Sequence, residues 1–354
     1  MKRRTFLKVV SGAAAAGYTT GLTHLLGAEE WTAQTAEIVN GMPRRILGRT
    51  GRKLSMVGFP GLALVHCDQA QSTEGVHKAF ERGINYFDVA PAYDNLKCET
   101  KMGIGLQGLD RDKYFLACKT KKREKDSARE ELERSLKLLK TDHFDLYQMH
   151  HLVTVAEVKK ALGPGGAVET FLKAREEGKT KYIGFSAHTT KAAIEALKGF
   201  SFDTVMFPIN FVEYMNRGYG REVLELAQAK GAAVLAIKPM SRGAWPQDAK
   251  RTREWWYRCT ETSEEVSLGL RFAWSQKGVV AGIPPSFLEL VDKAIEAAKT
   301  PHPITEPELG KLRQMAEGIG SIFDKEEARA ETAQTLQHSA YPDNPYHESP
   351  AEWI

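Results

Sequence analysis

Eight apolar segments of strand length, each separated from the next by a stretch with helical periodicity, run through this chain from residue 54 onward. They are 54–59 (LSMVGF), 84–88 (INYFD), 114–119 (YFLACK), 144–150 (FDLYQMH), 182–186 (YIGFS), 204–209 (TVMFPI), 233–237 (AVLAI) and 279–283 (VVAGI). Runs this short and this apolar suit strands buried on both faces, as parallel strands covered by helices are. The segments between them carry the complementary signal. In 127–140 (SAREELERSLKLLK), Leu132, Leu136 and Leu139 fall on one helical face, and 190–198, 221–230 and 287–298 behave similarly. Gly83, Gly178 and Gly231 each stand between a helix and the next strand, where helix-ending glycines belong. Eight β-then-α units predict a closed parallel barrel of the (β/α)8 TIM type. A doubly wound sheet would need a Gly-rich first turn, and no G-x-G-x-x-G follows 54–59.

The flanks read differently. Residues 43–55 (PRRILGRTGRKLS) set a Thr50–Gly51 turn between two extended pieces and predict an N-terminal β-hairpin. Residues 29–42 read as a polar linker, 43–323 as the barrel domain, and 324–354, rich in Glu, Ala, Pro and His, as a C-terminal appendage. The first residues are not expected to belong to the fold. MKRRTFLK followed by VVSGAAAAGYTTGLTHLLGA joins a basic start to an apolar stretch, a secretory pattern. Arg3–Arg4 followed by Thr5, Phe6, Leu7 and Lys8 resembles a twin-arginine export signal, which hands folded proteins to its own translocation machinery. Residues 1–28 are therefore expected to be a signal peptide or anchor, placing the protein in the periplasm or on the membrane.

Composition removes several function classes. The net charge of +4 is small for 354 residues, and acids closely follow the only dense basic run, KTKKREK at 119–125, so no nucleic-acid partner is expected. Cys67, Cys98, Cys118 and Cys259 form no C-x-x-C pair and have no His cluster beside them. That argues against a zinc or iron–sulfur centre and against a disulfide scaffold.

The chemistry concentrates at strand ends. Asp88, Lys119 and His150 end the second, third and fourth apolar runs, and Tyr93 follows Asp88 by five residues. In a parallel barrel these ends converge on one face. Taken singly, Asp88 reads equally as a helix cap, Tyr93 as loop packing, Lys119 as the start of a basic loop and His150 as a core histidine. Together they form a proton-donating set. A Tyr of ordinary pKa near ~10 is a weak acid at neutral pH, and a neighbouring ammonium stabilises its phenolate. Asp88 would hold that ammonium, and His150 would orient a substrate oxygen.

RRILGRTGRKLSMVGF, GINYFDVAPAYDN with Glu99 and Gly103 beyond it, REELERSLKLLKTDHFDLYQMH, EEGKTKYIGFSAH, AKGAAVLAIKPMSRG and LRFAWSQKGVVAGIP together resemble the aldo/keto reductases, over roughly residues 43–300. The resemblance implies hydride transfer between a nicotinamide cofactor, NADP or NAD, and a small aldehyde, ketone or sugar. Its catalytic tetrad maps onto Asp88, Tyr93, Lys119 and His150, with Tyr93 as general acid/base. It implies cofactor contacts at Ser186 and Asn210 for the carboxamide, at Lys238, Ser241, Arg242 and Gly243 along the pyrophosphate, and at Ser286. Two departures bear on the cofactor. Ala187 follows Ser186 where the family usually has Asn. Pro285 replaces a Gly after the eighth strand in a shortened loop without Arg, with Lys293 or Ala294 at the position of a later Asn. The alternative is a nucleotide-binding regulatory subunit on the same fold. Substrate choice is expected from loops 60–72, 151–166 and 239–262, the last carrying Trp245, Trp255, Trp256 and Tyr257.

Overall fold

The computed structural model of the chain describes residues 25–330. Eight strands pair side by side in sequence order, every adjacent pair parallel. They are Phe59–Pro60, Tyr86–Asp88, Phe115–Thr120, Phe144–Leu152, Thr180–Ala187, Thr204–Pro208, Ala233–Ile237 and Val279–Ile283. The first and last meet as well. Val57 bridges Gly282 in parallel. The Gly58 N–H donates to the Gly282 carbonyl at 3.1 Å, and the Gly282 N–H donates to that of Met56 at 2.8 Å. The (β/α)8 barrel is thus closed.

Helices follow every strand, and several start with side-chain caps. Asp68, Thr154, Thr189, Asn210 and Thr262 each accept from a backbone N–H in the first turn of the following helix. Inside the barrel, Tyr86, Phe115, Ala117, Leu146, Met206, Leu235 and Ala281 form one buried cluster, which Leu47 and Leu54 of the N-terminal hairpin complete. The hairpin therefore plugs the end of the barrel opposite the chemistry.

The hairpin corrects two sequence expectations. The run 54–59 does not form one strand. Lys53–Ser55 pairs antiparallel with Met42–Ile46, and only Val57 and Phe59–Pro60 join the barrel. Residues 29–42, read as a linker, hold a helix, Ala28–Gln34, and a strand, Thr35–Val39, that pairs with Met42–Ile46. The overlooked signal is Asn40–Gly41, both at positive φ (52° and 80°), a dipeptide suited to a two-residue hairpin turn. Behind this sheet Arg45, 1% exposed, donates to the carbonyls of Trp274 and Val279 at 2.8 Å each. Trp31 covers it, with the guanidinium 4.3 Å from the ring centre.

Of residues 1–28, expected to be an export signal or anchor, 1–24 lie outside the described residues. Leu25 bridges Gln276, and the Leu26 N–H donates to the Ser275 carbonyl at 2.7 Å. Of the appendage, Asp324–Ala330 is helical, and 331–354 lie outside the described residues.

Leu54, with no exposed surface, tests the plug. Leu54→Ala is expected to lower unfolding free energy by about 2–5 kcal/mol. Ile46→Ala, on a side chain 48% exposed, should change it by less than about 0.5 kcal/mol. Urea denaturation of both variants measures the contrast.

Candidate active site

Asp88, Tyr93, Lys119 and His150 converge at the C-terminal mouth of the barrel. Lys119 is fully buried, and its Nζ contacts three oxygens: Asp88 Oδ1 in a short ion pair, the Tyr93 hydroxyl at 3.0 Å and the Val89 carbonyl at 3.3 Å. Asp88 Oδ2 accepts from the Tyr86 hydroxyl at 3.2 Å and Gln148 Nε2 at 3.3 Å. The His150 ring stands edge-on to Tyr93, centroids 5.7 Å apart. A Cβ on Gly61 would lie 2.5 Å from the Asp88 carbonyl oxygen, so the close approach of the first strand to the second depends on glycine there.

Two pieces of unusual backbone present these groups. Directly after Tyr93, residues Asp94, Asn95 and Leu96 all take positive φ (51°, 44° and 70°), turning the chain sharply into the helix Lys97–Gly105. In the fourth strand the ladder to the fifth slips between Met149 and Leu152, and His151 takes φ 56°. Its N–H donates to Ser186 Oγ at 2.7 Å, and Arg123 donates to the carbonyls of His150 and His151 at 2.8 and 3.1 Å. Such conformations persist where surrounding contacts fix them, and they gather at functional sites.

Burial dominates the electrostatics. It pushes the Tyr93 phenol above its usual range, and the opposing pull of Lys119 only reduces that rise. The expectation that Lys119 gives a net lowering is thereby corrected: the site keeps Tyr93 protonated, ready to donate. Burial likewise raises the Asp88 carboxyl against the pull of Lys119. Burial alone would lower Lys119, but Asp88 and then Tyr93 reverse this and hold it well above the ordinary lysine value. Burial and then Lys119 push His150 well below the usual histidine range, so the ring is neutral.

Asp88, Tyr93 and His150 open onto a cleft of about 1100 Å3, counting its open mouth. Of the expected cofactor residues, Ser186, Lys238 and Ser286 line it with them. Asn210, expected at the carboxamide, is fully buried and does not line the cleft; its Oδ1 caps the next helix, and its Nδ2 has no partner among the described residues. Ser241, Arg242 and Gly243 lie off the cleft. Ser241 Oγ accepts from the Gly243 N–H at 3.1 Å, Arg242 pairs with Glu265 at 2.7 Å, and Gly243 packs against Ile319 and Gly320. Trp255, Trp256 and Tyr257 line the cleft from an irregular loop. Ser186, on the cleft wall, is the polar residue that fits a nicotinamide carboxamide at this end.

Residues 61–305 match the Aldo/keto reductase family. The chain belongs to that family. It is 28% identical over 214 residues to L-galactose dehydrogenase of Arabidopsis thaliana, a match covering 56% of this chain and 66% of that protein. It is 27% identical over 175 residues to methylglyoxal reductase DkgB of Salmonella typhimurium, covering 48% and 61%. The chain thus spans about two thirds or less of these relatives' length. Among solved structures, the holo form of aldo-keto reductase AKR11C1 from Bacillus halodurans superposes with a TM-score of 0.66 at 22% identity, covering 81% of this chain and 99% of that one. At that identity the likeness shows the shared barrel.

The sequence reading omitted several cleft residues. Tyr86 and Gln148 stand two positions before Asp88 and His150, on the same strand faces, and period-two counting back from the tetrad would have found them. Lys121, His151, His188 and Glu326 also line the cleft.

Glu99, buried against Cys118 of the third strand, tests the effect of burial on a carboxyl through stability. Burial raises its carboxyl to about 7, and Cys118 Sγ stands 3.3 Å from its Oε1. Between 4.5, the ordinary value, and about 7 the folded chain binds more protons than the unfolded one, so this group makes stability fall as pH rises through that window. The total is about 3 kcal/mol at ~1.4 kcal/mol per unit. Glu99→Gln is expected to remove this fall and to exceed wild type most above pH ~7, as read by urea denaturation across pH.

Proposed function

We propose that this protein is a nicotinamide-dependent oxidoreductase interconverting a carbonyl and an alcohol, with Tyr93 as general acid/base. The observation that carries the reading is Lys119 Nζ, buried between the Asp88 carboxylate and the Tyr93 hydroxyl, both of which line the cleft with His150. A nicotinamide, when bound, would supply or accept the hydride at the substrate carbon. Ser186 is the cleft residue suited to hold its carboxamide, and Asn210 would serve only if the buried Nδ2 became accessible.

In the reducing direction Tyr93 gives its proton to the substrate oxygen. The phenolate that forms lies against an ammonium, an attraction of about 4 kcal/mol at ~4 Å and an effective dielectric near ~20. The same ammonium is held charged by Asp88, so the developing charge meets a preorganised partner. His150, neutral, offers a hydrogen bond that directs the oxygen toward Tyr93. In the oxidising direction Tyr93 takes the alcohol proton back. The likeness to an L-galactose dehydrogenase and to a methylglyoxal reductase supports a small carbonyl or sugar as substrate. NADP is the proposed cofactor and NAD the alternative, Ser286 being the cleft residue suited to a phosphate after the eighth strand.

One observation favours the regulatory-subunit reading. Arg253 pairs with Glu261 at 2.7 Å and Glu289 at 2.6 Å, and its guanidinium lies 4.4 Å from the Phe287 ring centre. These contacts occupy the region after the eighth strand, where the chain departs from the family's cofactor-binding pattern. Turnover decides. With NADPH or NADH and small aldehydes, Tyr93→Phe is expected to lower kcat by about 10²–10⁴-fold while cofactor affinity by calorimetry is unchanged. A Tyr93→Phe enzyme as fast as wild type would sink the acid/base role. Wild-type protein that binds cofactor and turns over no carbonyl would support the regulatory reading. Arg3 and Arg4 support export in the folded state, and replacing both with Lys should keep the protein in the cytoplasm on fractionation.

A further inference from the structure

The rim of the cleft holds a chemistry that proton and hydride transfer do not require. Lys121 comes directly after the third strand, two residues beyond Lys119, and His188 directly after the fifth, two beyond Ser186, and both line the cleft. The fourth strand contributes through its slip at His151, which lets consecutive residues, His150 and His151, both line the cleft. The His151 and His188 rings are 4.2 Å apart, and Lys238 Nζ stands 3.3 Å from His188 Nε2. Arg123 lies behind them, paired with Glu157 at 3.4 Å.

These groups repel one another's charge. Burial first, then Lys121, Lys238 and Arg123, hold His151 well below the usual range, and burial followed by Lys238 does the same to His188. Burial brings Lys238 down to about 7, and burial, then Arg123, lowers Lys121. One carboxylate reaches into this set. Glu326, 4% exposed on the helix Asp324–Ala330, places Oε2 4.0 Å from His188 Nδ1. Ligand atoms of His151, His188 and Glu326 lie within 4.8 Å of one another, a spacing that suits a metal ion. The geometry argues otherwise: a dication there would stand against Lys238, whose Nζ lies 3.3 Å from His188 Nε2, and against Lys121 on the same cleft wall, whereas an anion is drawn to both.

We propose that Lys121, His151 and His188, with Lys238 closing the side toward the seventh strand, form a subsite for an anionic group, carboxylate or phosphate, carried by the carbonyl substrate. Glu326 fills this subsite when no substrate is bound. The inference rests on the reductase reading. The His150 and His151 rings stand 6.4 Å apart, so an anion held at His151 lies several bonds beyond a carbonyl directed by His150. That selects ω-aldehyde acids, sugar acids and sugar phosphates over 2-oxo acids, whose two groups are adjacent.

The test compares succinic semialdehyde with butyraldehyde, a neutral aldehyde of the same chain length, at saturating cofactor on the full chain. Wild type should favour the charged aldehyde by about tenfold or more in kcat/KM, as charge-assisted hydrogen bonds allow. Lys121→Met should collapse that ratio, and Glu326→Gln should lower KM for the charged aldehyde only. A variant that merely folds poorly lowers both rates and preserves the ratio, which would overturn the proposal, as would equal wild-type rates. If neither aldehyde is reduced, the reductase reading fails, and calorimetric titration with succinate and with inorganic phosphate judges the subsite separately. Binding of either that is lost in Lys121→Met supports it, and the tighter of the two identifies the group. No binding, or displacement of succinate by NADPH, would overturn it, displacement assigning these cations to the cofactor's own phosphates.

Discussion

A lysine ammonium with no exposed surface, paired to a carboxylate that is itself almost fully buried, is the interaction on which this barrel mouth depends. Removing one partner of such a pair would strand an uncompensated charge, a loss of about 3–5 kcal/mol. The structure meets this demand with neighbours. Tyr86 and Gln148 satisfy the far oxygen of Asp88, and the Val89 carbonyl accepts from Lys119. The inward faces of the second, third and fourth strands are thereby committed to one polar cluster above an otherwise apolar lumen. Tyr93 completes it from a loop, and the three positive-φ residues after it turn the chain back toward the barrel wall.

The barrel was legible because its signal is local. Each buried strand is an apolar run, and six of the eight runs end at or directly before a polar residue that marks the mouth: Asp88, Lys119, His150, Ser186, Asn210 and Lys238. The tetrad could be read for the same reason, since three of its members are strand ends. The errors fall where a local pattern meets a non-local choice. LSMVGF is one apolar run, yet Lys53–Ser55 turns into the hairpin sheet while Phe59–Pro60 enters the barrel, a division set by tertiary pairing. His151 reads as a neighbour that should point away from the cleft, and only the slip in the ladder brings it in. Glu326 lies far along the chain in a segment whose place over the mouth no periodicity announces. The sign of the Tyr93 shift was missed because burial, which a sequence does not give directly, outweighs the adjacent charge.

The two halves of the cleft differ in character. Around the tetrad the polar groups are matched closely. Beyond the eighth strand, Arg253 links Glu261 to Glu289 over Phe287, and Lys293 Nζ donates to the Glu261 carbonyl at 2.5 Å. These bonds tie loop 239–262 to the last barrel helix, Leu288–Lys299. On the opposite rim Ser321 and Ile322 donate to Glu213, and Phe323 stacks on Tyr219 with centroids 5.0 Å apart, fixing the segment that carries Glu326. The mouth is bounded by two side-chain clasps.

The contact of Leu25 with Gln276 has a directional meaning. Gln276 lies between the helix Ser263–Trp274 and the eighth strand, at the end of the barrel that the hairpin plugs. The chain therefore enters the fold at the pole opposite the cleft, and the axis of the barrel runs from that entry to the tetrad. A tether pulling on Leu25 would draw the plugged pole toward itself and leave the mouth facing outward, so attachment and access to substrate need not compete for the same surface.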